Sequence, residues 1–555
     1  MYSMTGADIV IRLLERQGID TVFGIPGGAI LPIYDALSRS GRIRHILTRH
    51  EQGAGFMAQG MARSTGKPAV FFATSGPGAT NMLTAFADAK FDSVPVICIT
   101  GQVSRALLGT DAFQEVDIYG MTIPVAKHNF LVRSGEQLLG VIPEAFRIAT
   151  SGRCGPVLVD IPRDVQLGMT DFANWPEPGL PELAAEPEIG QLHEALAMLH
   201  AAQRPVLMVG GGVIASDSAD LVRVLAEKAG LPVAMSLQGL GSMPADHPLN
   251  LGLVGMHGAR CTNMILDVCD LLMVVGARLD DRATGDAKQF CPNARIVHID
   301  IDPSELGKIY IPHVDIVGDA NRVLEYFLRH IEDRDRGPWL REVAALKLRH
   351  PLHMPGADDP CTAYGIIRQV ARLIGDEAIV ATDVGQHQMR TAQAYPLTRP
   401  RQWLSSGGLG AMGFGLPAAI GAAVANPERP VICFTGDGSL FMNIQELATA
   451  AELHVNVKVV LVNNNGLGLI HQLQDLFFDS RLFAWEYRHQ TDFIRIAEGF
   501  GVPAVDLGSH PKPLEGLAEA LCRPGPALIH IRIPAGDNVY PIVPPGAANT
   551  VMIGD

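Results

Sequence analysis

The residues best placed for chemistry lie in FTGDGSLFMN (434–443), where one carboxylate, Asp437, stands between Gly436 and Gly438. The apolar run before this turn predicts a strand that is buried on both faces of a parallel sheet. A second apolar strand ends in VNNNG (462–466), which contains Asn464. A strand–helix–strand unit of this length forms a right-handed crossover, which brings the ends of both strands to one edge of the sheet. We therefore expect Asp437 and Asn464 to be neighbours.

The chemistry predicted for this edge is metal binding. The Asp437 carboxylate, the Asn464 amide oxygen and a backbone carbonyl at Gly466 are too few ligands to enclose Ca²⁺, but they suit Mg²⁺, which also takes water and phosphate oxygens. The glycines let phosphate approach the backbone, and we expect a helix starting near Asn443 to point its amide-rich end toward them. An aspartate that only caps a helix is the alternative, and the asparagine pair after the next strand makes it less favoured.

A similar unit occurs earlier in the chain. The stretch ATSGPGATN also follows an apolar strand, but proline occupies the place of the metal ligand, so this turn cannot hold the ion. The candidate functional carboxylate of this earlier block is instead Glu51, in HILTRHEQGAGFMAQGMAR. It follows a strand and opens a helix. A glutamate is also favoured at the positive end of any helix, and spacing alone does not decide between a catalytic and a structural role.

Composition limits the classes of function. The chain has 555 residues, of which 47% are hydrophobic and 18% charged, and its net charge is −14. The acidic balance argues against non-specific binding to nucleic acid or acidic lipid. The N-terminus lacks a signal-peptide pattern, and no stretch approaches the ~18 apolar residues that span a bilayer. The eight cysteines form no C-x-x-C pair, which favours buried thiols in a reducing cytoplasm.

The chain divides at two predicted linkers, FANWPEPGLPELAAEPEIG (172–190) and EDRDRGPWLREVAALKLRHPLHMPGADDP (332–360). Three blocks result, residues 1–170, 190–335 and 361–535, followed by a C-terminal tail at 536–555. Apolar strands alternate with helical patterns in each block. The sequence therefore predicts an α/β protein of three doubly wound parallel-sheet domains.

These motifs together resemble the thiamine-diphosphate enzymes and, within them, the catalytic subunits of acetolactate synthase. The likeness runs over nearly the whole chain and includes VFGIPGGAI, RHEQGAGFMA, GTDAFQEVD, VGARLDDRATG, VGQHQM, GLGAMGFG and GDGSLFMNIQELATA. It implies a pyrimidine-binding domain at 1–170, a central FAD-binding domain at 190–335 and a diphosphate- and Mg²⁺-binding domain at 361–535.

The resemblance implies a reaction. Enzymes of this family decarboxylate pyruvate and join the remaining two-carbon unit to a second 2-keto acid, pyruvate or 2-ketobutyrate, in branched-chain amino acid biosynthesis. The family's glutamate matches Glu51 and hydrogen-bonds the aminopyrimidine ring of the cofactor, which assists removal of the proton from thiazolium C2. Met412 matches the apolar wedge that bends the cofactor, and Val384 and Gly410 match backbone contacts to its pyrimidine.

The resemblance also assigns further residues. The remaining cofactor positions on the thiamine diphosphate are Gly27, Gly28 and Ser439. The positions that match FAD contacts are Arg153, Gly211, Gly212, Met256, Gly276, Arg278, Asp280, Asp300 and Asp319. The other active-site positions are Phe113, Gln114, Lys127 and His257, the last of which we group with the cofactor-binding residues. Arg282 matches the arginine that receives the acceptor's carboxylate, although a surface arginine paired with Asp280 or Asp281 is the competing interpretation.

The family's assembly is part of the expectation. Its pyrimidine and diphosphate domains come from different chains, so the resemblance implies a homodimer or homotetramer, and a small regulatory subunit is a further expected partner. The expected cofactors are thiamine diphosphate, Mg²⁺ and FAD.

One stretch departs from the family. Relatives carry LGMVRQWQ where this chain has LGLIHQLQ, so Leu469, His471 and Leu473 replace methionine, arginine and tryptophan. The tryptophan favours 2-ketobutyrate as acceptor, so its loss leaves acceptor selectivity open. His471 is either a new polar contact or, as is more common for such a histidine, an exposed side chain. A related carboligase or a pyruvate-oxidase-like enzyme with another acceptor stays as the alternative function. Glu51 argues against glyoxylate carboligase, whose family lacks that glutamate.

Overall fold

The computed structural model describes residues 1–554 and contains three six-stranded sheets in which every neighbouring pair of strands is parallel. Each sheet is formed by one stretch of the chain, and helices cover its faces. The predicted α/β fold with three doubly wound parallel sheets is confirmed.

The first sheet has the strand order β3-β2-β4-β5-β7-β6. The strands of this part are β1 (Tyr2–Thr5), β2 (Thr21–Gly24), β3 (Arg44–Leu47), β4 (Ala69–Ala73), β5 (Val96–Gln102), β6 (His128–Leu131), β7 (Val157–Pro162) and β8 (Met169–Phe172). The helices are α1 (Gly6–Arg16), α2 (Leu31–Ser38), α3 (Glu51–Thr65), α4 (Pro77–Asn81), α5 (Leu83–Phe91), α6 (Ile118–Thr122), α7 (Gly135–Thr150) and α8 (Arg163–Leu167). Strands β1 and β8 form a separate antiparallel pair.

The central sheet has the order β11-β10-β9-β12-β13-β14. Its strands are β9 (Pro205–Val209), β10 (Val233–Met235), β11 (Asn250–Leu253), β12 (Leu271–Val275), β13 (Arg295–Asp300) and β14 (Val314–Val317). The helices are α9 (Ile189–Ala201), α10 (Gly211–Ala215), α11 (Ala219–Ala229), α12 (Arg260–Val268), α13 (Asp281–Thr284), α14 (Ala320–His330) and α15 (Gly337–Arg349).

The third sheet has the order β16-β15-β17-β18-β20-β19. Its strands are β15 (Ile379–Thr382), β16 (Trp403–Ser405), β17 (Val431–Gly436), β18 (Val457–Asn463), β19 (Ala504–Asp506) and β20 (Ala527–Arg532). The helices are α16 (Ala363–Ile374), α17 (Gln386–Ala394), α18 (Gly415–Ala425), α19 (Asp437–Asn443), α20 (Glu446–Leu453), α21 (Gly468–Phe477), α22 (Phe493–Gly499) and α23 (Pro513–Cys522).

The first and third blocks share a core. Helix α3, which begins with Glu51, crosses α18 so closely that a β-carbon on Gly60 would collide with the Ala418 carbonyl. The approach is reciprocal, because a β-carbon on Gly421 would collide with the Met57 carbonyl. Only glycine permits backbones to pack at this distance. The crossing fixes α3 rigidly against the third block.

The two predicted linkers differ in the structure. Residues 173–188 are irregular, as a linker predicts, but the interpretation of 332–360 as a linker is wrong, because α15 lies within it. Trp339 and Val343 on this helix are buried in the core of the central block, and the Trp339 indole donates to the Pro205 carbonyl at 3.0 Å. The stretch was interpreted as a linker because of its many charged residues, but it contains an amphipathic helix.

The chain returns to the central block after β20. The Val543 amide donates to the Met256 carbonyl at 2.9 Å, and the Asn549 side chain donates to the Ala283 carbonyl at 2.8 Å. The C-terminal residues therefore brace the Met256–Arg282 region. None of the helices in residues 1–554 is long and apolar enough to cross a membrane.

Candidate active site

Asp437 and Asn464 lie at the same edge of the third sheet. Strands β17 and β18 are parallel neighbours with Gly436 opposite Val462, so Asp437 and Asn464 both follow directly beyond the paired residues. The helix expected to start near Asn443 begins instead at Asp437 and ends at Asn443. An aspartate in the first turn favours this early start, because the turn's free amides and the helix dipole stabilise a carboxylate there.

The Asp437 carboxylate is only partly satisfied. The residue is 2% exposed, and its Oδ2 atom has no hydrogen-bond partner among residues 1–554. Burial raises the pKa of Asp437 to about 6, and the nearby backbone amides of Gly466 and Asn464 oppose that shift. A buried carboxylate with an unpaired oxygen needs a cation, so the residues fit a metal ion. No group of three His, Cys, Asp or Glu side chains gathers in the described part of the chain, so a metal here would take most ligands from other atoms.

The turn around Asp437 is tightly enclosed. A β-carbon on Gly438 would lie 2.8 Å from Leu467 Cδ2, 3.1 Å from the Tyr487 hydroxyl and 3.5 Å from Met412 Cε. The lack of a side chain therefore lets the backbone of this turn pack closely against these three residues. Met412 is beside the metal-site turn, where a wedge for a bent cofactor would stand.

The loop that carries Met412 is joined to the end of β15. Asp383 is buried, and its Oδ1 accepts from the amides of Val384 at 3.0 Å and Gly413 at 2.8 Å. Ser439 donates to the Val384 carbonyl at 2.6 Å. Gly410 has a positive φ of 69°, and its nearest neighbour is Val384. Val384, Gly410 and Ser439 therefore lie on one continuous wall with the Asp437 turn.

Two polar residues at this edge were not singled out from the sequence. A β-carbon on Gly436 would lie 2.9 Å from His387 Nδ1, and His387 Nε2 is buried without a partner among residues 1–554. Burial lowers the pKa of His387 to about 3, so the ring is neutral. Gln386 Oε1 is likewise unpaired. Both residues begin the helix after β15, and the position of VGQHQM after a strand next to β17 was the available signal.

Glu51 lies at the corresponding edge of the first sheet. It is 8% exposed and opens α3 directly after His50, whose ring accepts from the Gln52 amide. Its Oε2 accepts from Asn81 Nδ2 at 3.0 Å. Its Oε1 faces Gly78, whose β-carbon would lie 3.2 Å away. One carboxylate oxygen is therefore fixed and the other is accessible over a residue without a side chain.

Other predicted residues surround Glu51. A β-carbon on Gly27 would lie 2.5 Å from Thr74, while Gly28 is exposed with open space beside it. Gln114 has a positive φ of 59° and packs against Gly76. Phe113 is 87% exposed. Lys127 is set apart, since its Nζ donates to the Ser151 carbonyl at 2.5 Å and burial lowers its pKa.

No hydrogen bond joins Glu51 to Asp437 directly in residues 1–554. The helices that carry them are linked where Asn443 Nδ2 donates to Gln52 Oε1 at 3.5 Å. Asn443 stands at the far end of α19, about 9 Å along the helix from Asp437 at 1.5 Å per residue.

A large cavity lies between the blocks. Its volume is about 1090 Å³, which is at the upper end for small-molecule pockets. All nine residues that we matched to FAD contacts line it, and so does His257: Arg153, Gly211, Gly212, Met256, Gly276, Arg278, Asp280, Asp300 and Asp319 are the nine. Val384, Gly410, Arg282 and Leu473 line it as well. The cavity therefore extends from the central sheet to the wall of the Asp437 site.

The central sheet's edge in this cavity suits a dinucleotide. A β-carbon on Gly212 would lie 2.7 Å from Gly276 Cα, so the two glycines allow the loops after β9 and β12 to touch. Asp300 and Asp319 each accept a backbone amide on Oδ1 at 2.9 Å. Burial raises the pKa of Asp300 to about 6. Glycine turns and acidic groups beyond parallel strands are the elements that bind the pyrophosphate and ribose of dinucleotides.

The cationic residues of the cavity are partly engaged. Arg153 contacts Glu305 at 2.6 Å and Asp302 at 3.1 Å, which joins the first block to the central one. Arg278 is 3.9 Å from Asp280, whose Oδ1 caps α13. His257 Nδ1 donates to the Pro541 carbonyl at 3.1 Å, and burial lowers the pKa of His257 to about 4.

Arg282 and Leu473 face the same cavity. The Arg282 side chain is 65% exposed and stands 3.8 Å from Asp281, too far for a strong ion pair, so its guanidinium is available to a ligand. Leu469 and Leu473 lie on one face of α21. Of the two alternatives for His471, the exposed side chain is wrong: the residue is buried with its ring 4.5 Å from that of Trp485, because the opposite face of α21 packs against that indole.

Comparisons with known proteins agree with this geometry. Three family models match: the thiamine pyrophosphate enzyme N-terminal TPP binding domain at 4–121, the central domain at 192–327 and the C-terminal TPP binding domain at 383–531. Thiamine pyrophosphate is another name for thiamine diphosphate. The chain is also 58% identical over 553 residues to the acetolactate synthase isozyme 1 large subunit of Escherichia coli, covering 99% of this chain and 98% of that one.

The chain belongs to the acetolactate synthase family of thiamine pyrophosphate enzymes. Further relatives include the E. coli isozyme 2 large subunit, 44% identical with 99% of both chains covered. The chloroplastic acetolactate synthase of Arabidopsis thaliana is 44% identical, covering 98% of this chain and 83% of that one. Membership confirms the predicted class, a thiamine-diphosphate-dependent carboligase, and the diphosphate and pyrimidine halves lie within the two TPP-binding models.

Proposed function

We propose that this chain is the catalytic subunit of an acetolactate synthase that serves branched-chain amino acid biosynthesis. It would decarboxylate pyruvate and ligate the two-carbon unit to a second 2-keto acid. The observation that carries the proposal is the buried Asp437 carboxylate, with its unpaired oxygen at a glycine turn next to Asn464, in a chain of this family.

The cofactor would be held from the third block. Asp437, Asn464 and the Gly466 carbonyl would hold Mg²⁺, and the ion would supply positive charge for the diphosphate. Gly436, Gly438 and Ser439 leave their backbone open to the phosphates, while Val384, Gly410 and Met412 orient the rings. Bound thiamine diphosphate supplies the electron sink for decarboxylation.

Glu51 would move the proton. Asn81 fixes Oε2, and Oε1 remains for a hydrogen bond to the pyrimidine ring. Glu51 would hold a proton at Oε1 and return it during the catalytic cycle, which is general acid–base chemistry. Gly27, Gly28, Gln114 and Phe113 surround that end of the site.

The acceptor would bind at the cavity wall. The Arg282 guanidinium can receive a planar carboxylate through two parallel hydrogen bonds. Leu473 and Leu469 would supply the apolar surface for the acceptor's alkyl group, and His257 lines the same cavity. FAD would fill the remainder of the cavity through the nine residues matched to it and take no part in net redox chemistry.

The complete site would need two chains. No hydrogen bond joins Glu51 to Asp437 within residues 1–554 and Phe113 is exposed, which supports a homodimer or homotetramer that pairs Glu51 of one chain with Asp437 of another. Relatives are named large subunits, which supports a small regulatory subunit as a further partner. The free cysteines support a reducing, cytoplasmic location.

Incubation of the purified protein with pyruvate, thiamine diphosphate, Mg²⁺ and FAD tests the proposal. We expect CO₂ release and one acetolactate for every two pyruvates, without net flavin reduction. Stoichiometric O₂ consumption would instead favour the pyruvate-oxidase-like alternative, and release of CO₂ with a different ligation product would favour a carboligase with another acceptor.

A further inference from the structure

A side-chain cluster at the junction of the three blocks holds the loop that leads to the cofactor. The cluster consists of Arg63 and Asp92 from the first block, Gln238 from the central block, and the loop 405–411 of the third block. Gly410 and, just beyond it, Met412 are the residues that would contact thiamine diphosphate. The loop's conformation is therefore relevant to the site.

Asp92 is the centre of the cluster. Its side chain is fully buried, and its Oδ2 accepts from Gly407 N, from Arg63 Nη2 and from Gln238 Nε2, each at 2.9 Å. Its Oδ1 accepts from Gly408 N at 2.8 Å. Two consecutive amides of the loop thus depend on one carboxylate from a different block. Hydrogen bonds to a charged acceptor in a buried place are stronger than neutral ones.

Gln238 connects this carboxylate to the wall of the central cavity. Its Nε2 donates to Asp92 and also to the Ser405 carbonyl at 2.7 Å, and a β-carbon on Gly407 would lie 2.5 Å from it. Arg278 stands against Gly408 in the same way, with its Nη2 2.9 Å from a β-carbon built there. Asp92, Gln238, Arg278, Gly407 and Gly408 all line the cavity.

The second turn of the loop is fixed from the first block as well. Ser406 donates to Asp88, and its Oγ accepts from the Ala411 amide at 2.7 Å. Asp88, Asp92 and Gln238 therefore hold the loop from the other two blocks, and Gln388 holds it from the third block by donating to the Ser406 carbonyl at 3.0 Å. A ligand that touches Gln238 and Arg278 rests on the same hydrogen-bonded unit that presents Gly410.

We propose that Asp92 and Gln238 are positioning residues that couple occupancy of the central cavity by a flavin dinucleotide to the affinity of the pyrimidine-side loop for thiamine diphosphate. The proposal rests on the proposed function, which supplies both occupants. A ligand that orders a shared element lowers the ordering cost for the second ligand, which gives positive coupling without a new contact. By linkage the effect is reciprocal.

The test is a double titration of cofactor-stripped enzyme that regains full activity on reconstitution. The thiamine diphosphate dissociation constant is measured at saturating Mg²⁺ with and without saturating FAD, and the FAD constant with and without thiamine diphosphate. In the unmodified enzyme we expect each cofactor to tighten the other by a common factor, within the roughly 5–150-fold range of such couplings.

Two variants and one control locate the coupling. Asp92→Asn should reduce the factor to about one, since a single amide oxygen cannot accept both loop amides together with Arg63 and Gln238. Gln238→Met should also reduce the factor while leaving thiamine diphosphate affinity in the absence of FAD near that of the unmodified enzyme, because the bonds from Asp92 to Gly407 and Gly408 remain. Asp217→Asn breaks the 2.8 Å pair with Arg401 between the central and third blocks without touching the loop, and should leave the factor unchanged.

The outcomes separate the proposals. If both cofactors bind the unmodified enzyme independently, the coupling is refuted while the proposed function stands. If Asp92→Asn and Gln238→Met weaken binding but keep the factor, the cluster is merely structural and the proposal is wrong. Failure of the unmodified enzyme to bind FAD at all would overturn the cofactor assignment and the coupling with it.

Discussion

The edges of the first and third sheets are built from the same strand–turn–helix unit but carry opposite chemistry. After β17 the turn contains Asp437, which is buried with an unpaired oxygen and suits a cation. After β4 the turn contains Pro77, and the carboxylate comes instead from Glu51 on α3, with one oxygen tied to Asn81. In the proposed function, the same backbone unit would therefore hold a metal ion at one edge and position a proton-transferring carboxylate at the other.

The comparison is tested most strongly at Glu51. Glu51→Gln keeps the shape and the partner Asn81 but cannot take up the proton, so we expect turnover to fall by ~10²–10⁴-fold, the usual contribution of general acid–base catalysis. Thiamine diphosphate affinity should be nearly unchanged because the third block holds the diphosphate. Steady-state kinetics and a cofactor titration on the same preparation measure both; normal turnover would make Glu51 structural.

The metal edge is tested at Asp437. Asp437→Ala should weaken Mg²⁺ and thiamine diphosphate together by more than about 100-fold, because even partners outside the ligand set cost 10–100-fold in metal affinity. Asp437→Asn retains one oxygen, so its affinities for Mg²⁺ and thiamine diphosphate should lie between those of the unmodified enzyme and those of Asp437→Ala. Calorimetric titration with each cofactor measures the effect, and unchanged affinity in the alanine variant would support the helix-capping alternative.

The choice between the two acceptors is expected to depend on the cavity wall that contains Leu473. With equimolar pyruvate and 2-ketobutyrate the unmodified chain should give products near the statistical ratio, since Leu473 offers less apolar surface than an indole. One methylene is worth roughly 1–3 kcal/mol, or ~10–200-fold, in a hydrophobic pocket. Leu473→Trp should shift the product toward acetohydroxybutyrate, nearer the low end because Leu469 also fills this wall.

Mass spectrometry of the two products measures that shift. Leu482→Trp places the same ring on a 42% exposed position outside the cavity and should change nothing. A strong 2-ketobutyrate preference in the unmodified chain would mean that another residue selects the acceptor.

A smaller effect comes from a buried carboxylate of the first sheet that is fully paired. Asp160 accepts from Thr100 at 2.7 Å and Gln102 at 3.1 Å, and burial raises its pKa to about 7. Between about pH 4 and pH 7 the folded chain therefore binds more protons than the unfolded chain, and stability falls as the pH rises through this window.

Asp160→Asn removes that titration while Thr100 and Gln102 keep hydrogen-bond partners. As the pH rises from 5 to 7, the melting temperature of the variant should increase by a few degrees relative to that of the unmodified protein. This follows because 1 kcal/mol corresponds to roughly 2–4 °C for domains of this size. Thermal unfolding at fixed cofactor concentrations measures it. Parallel pH profiles would show that Asp160 does not titrate in this range.

Much of the structure of the third block could be predicted from its sequence. The glycines around Asp437 and the asparagines after the next strand lie on a crossover unit, whose geometry brings them together whatever surrounds it. His387 and Gln386 escaped notice because their signal depends on which strand lies beside β17. Helix α15 was not predicted because charged residues dominate the composition of its stretch. The burial of Trp339 and Val343 is evident only in the assembled core of the central block.

The cavity residues illustrate a second limit. Gly211, Gly276 and Asp300 are weak signals in isolation, and it was the resemblance that grouped them. Asp92 and Gln238 had no signal, since their partners come from three distant parts of the chain. The pairing of Glu51 from one chain with Asp437 from another was implied by the family alone and stays a prediction.

Subunit complementation tests the account's central claim, that Glu51 of one chain and Asp437 of another serve the same cofactor. Glu51→Gln and Asp437→Ala chains are each inactive in this account, and they are dissociated, mixed in equal amounts and reassociated. If the site spans two chains, half of the dimers are mixed and each contains one intact site, so about a quarter of unmodified activity should return. If both residues serve within one chain, no site is intact, and the absence of any recovery from verified mixed dimers would contradict the claim.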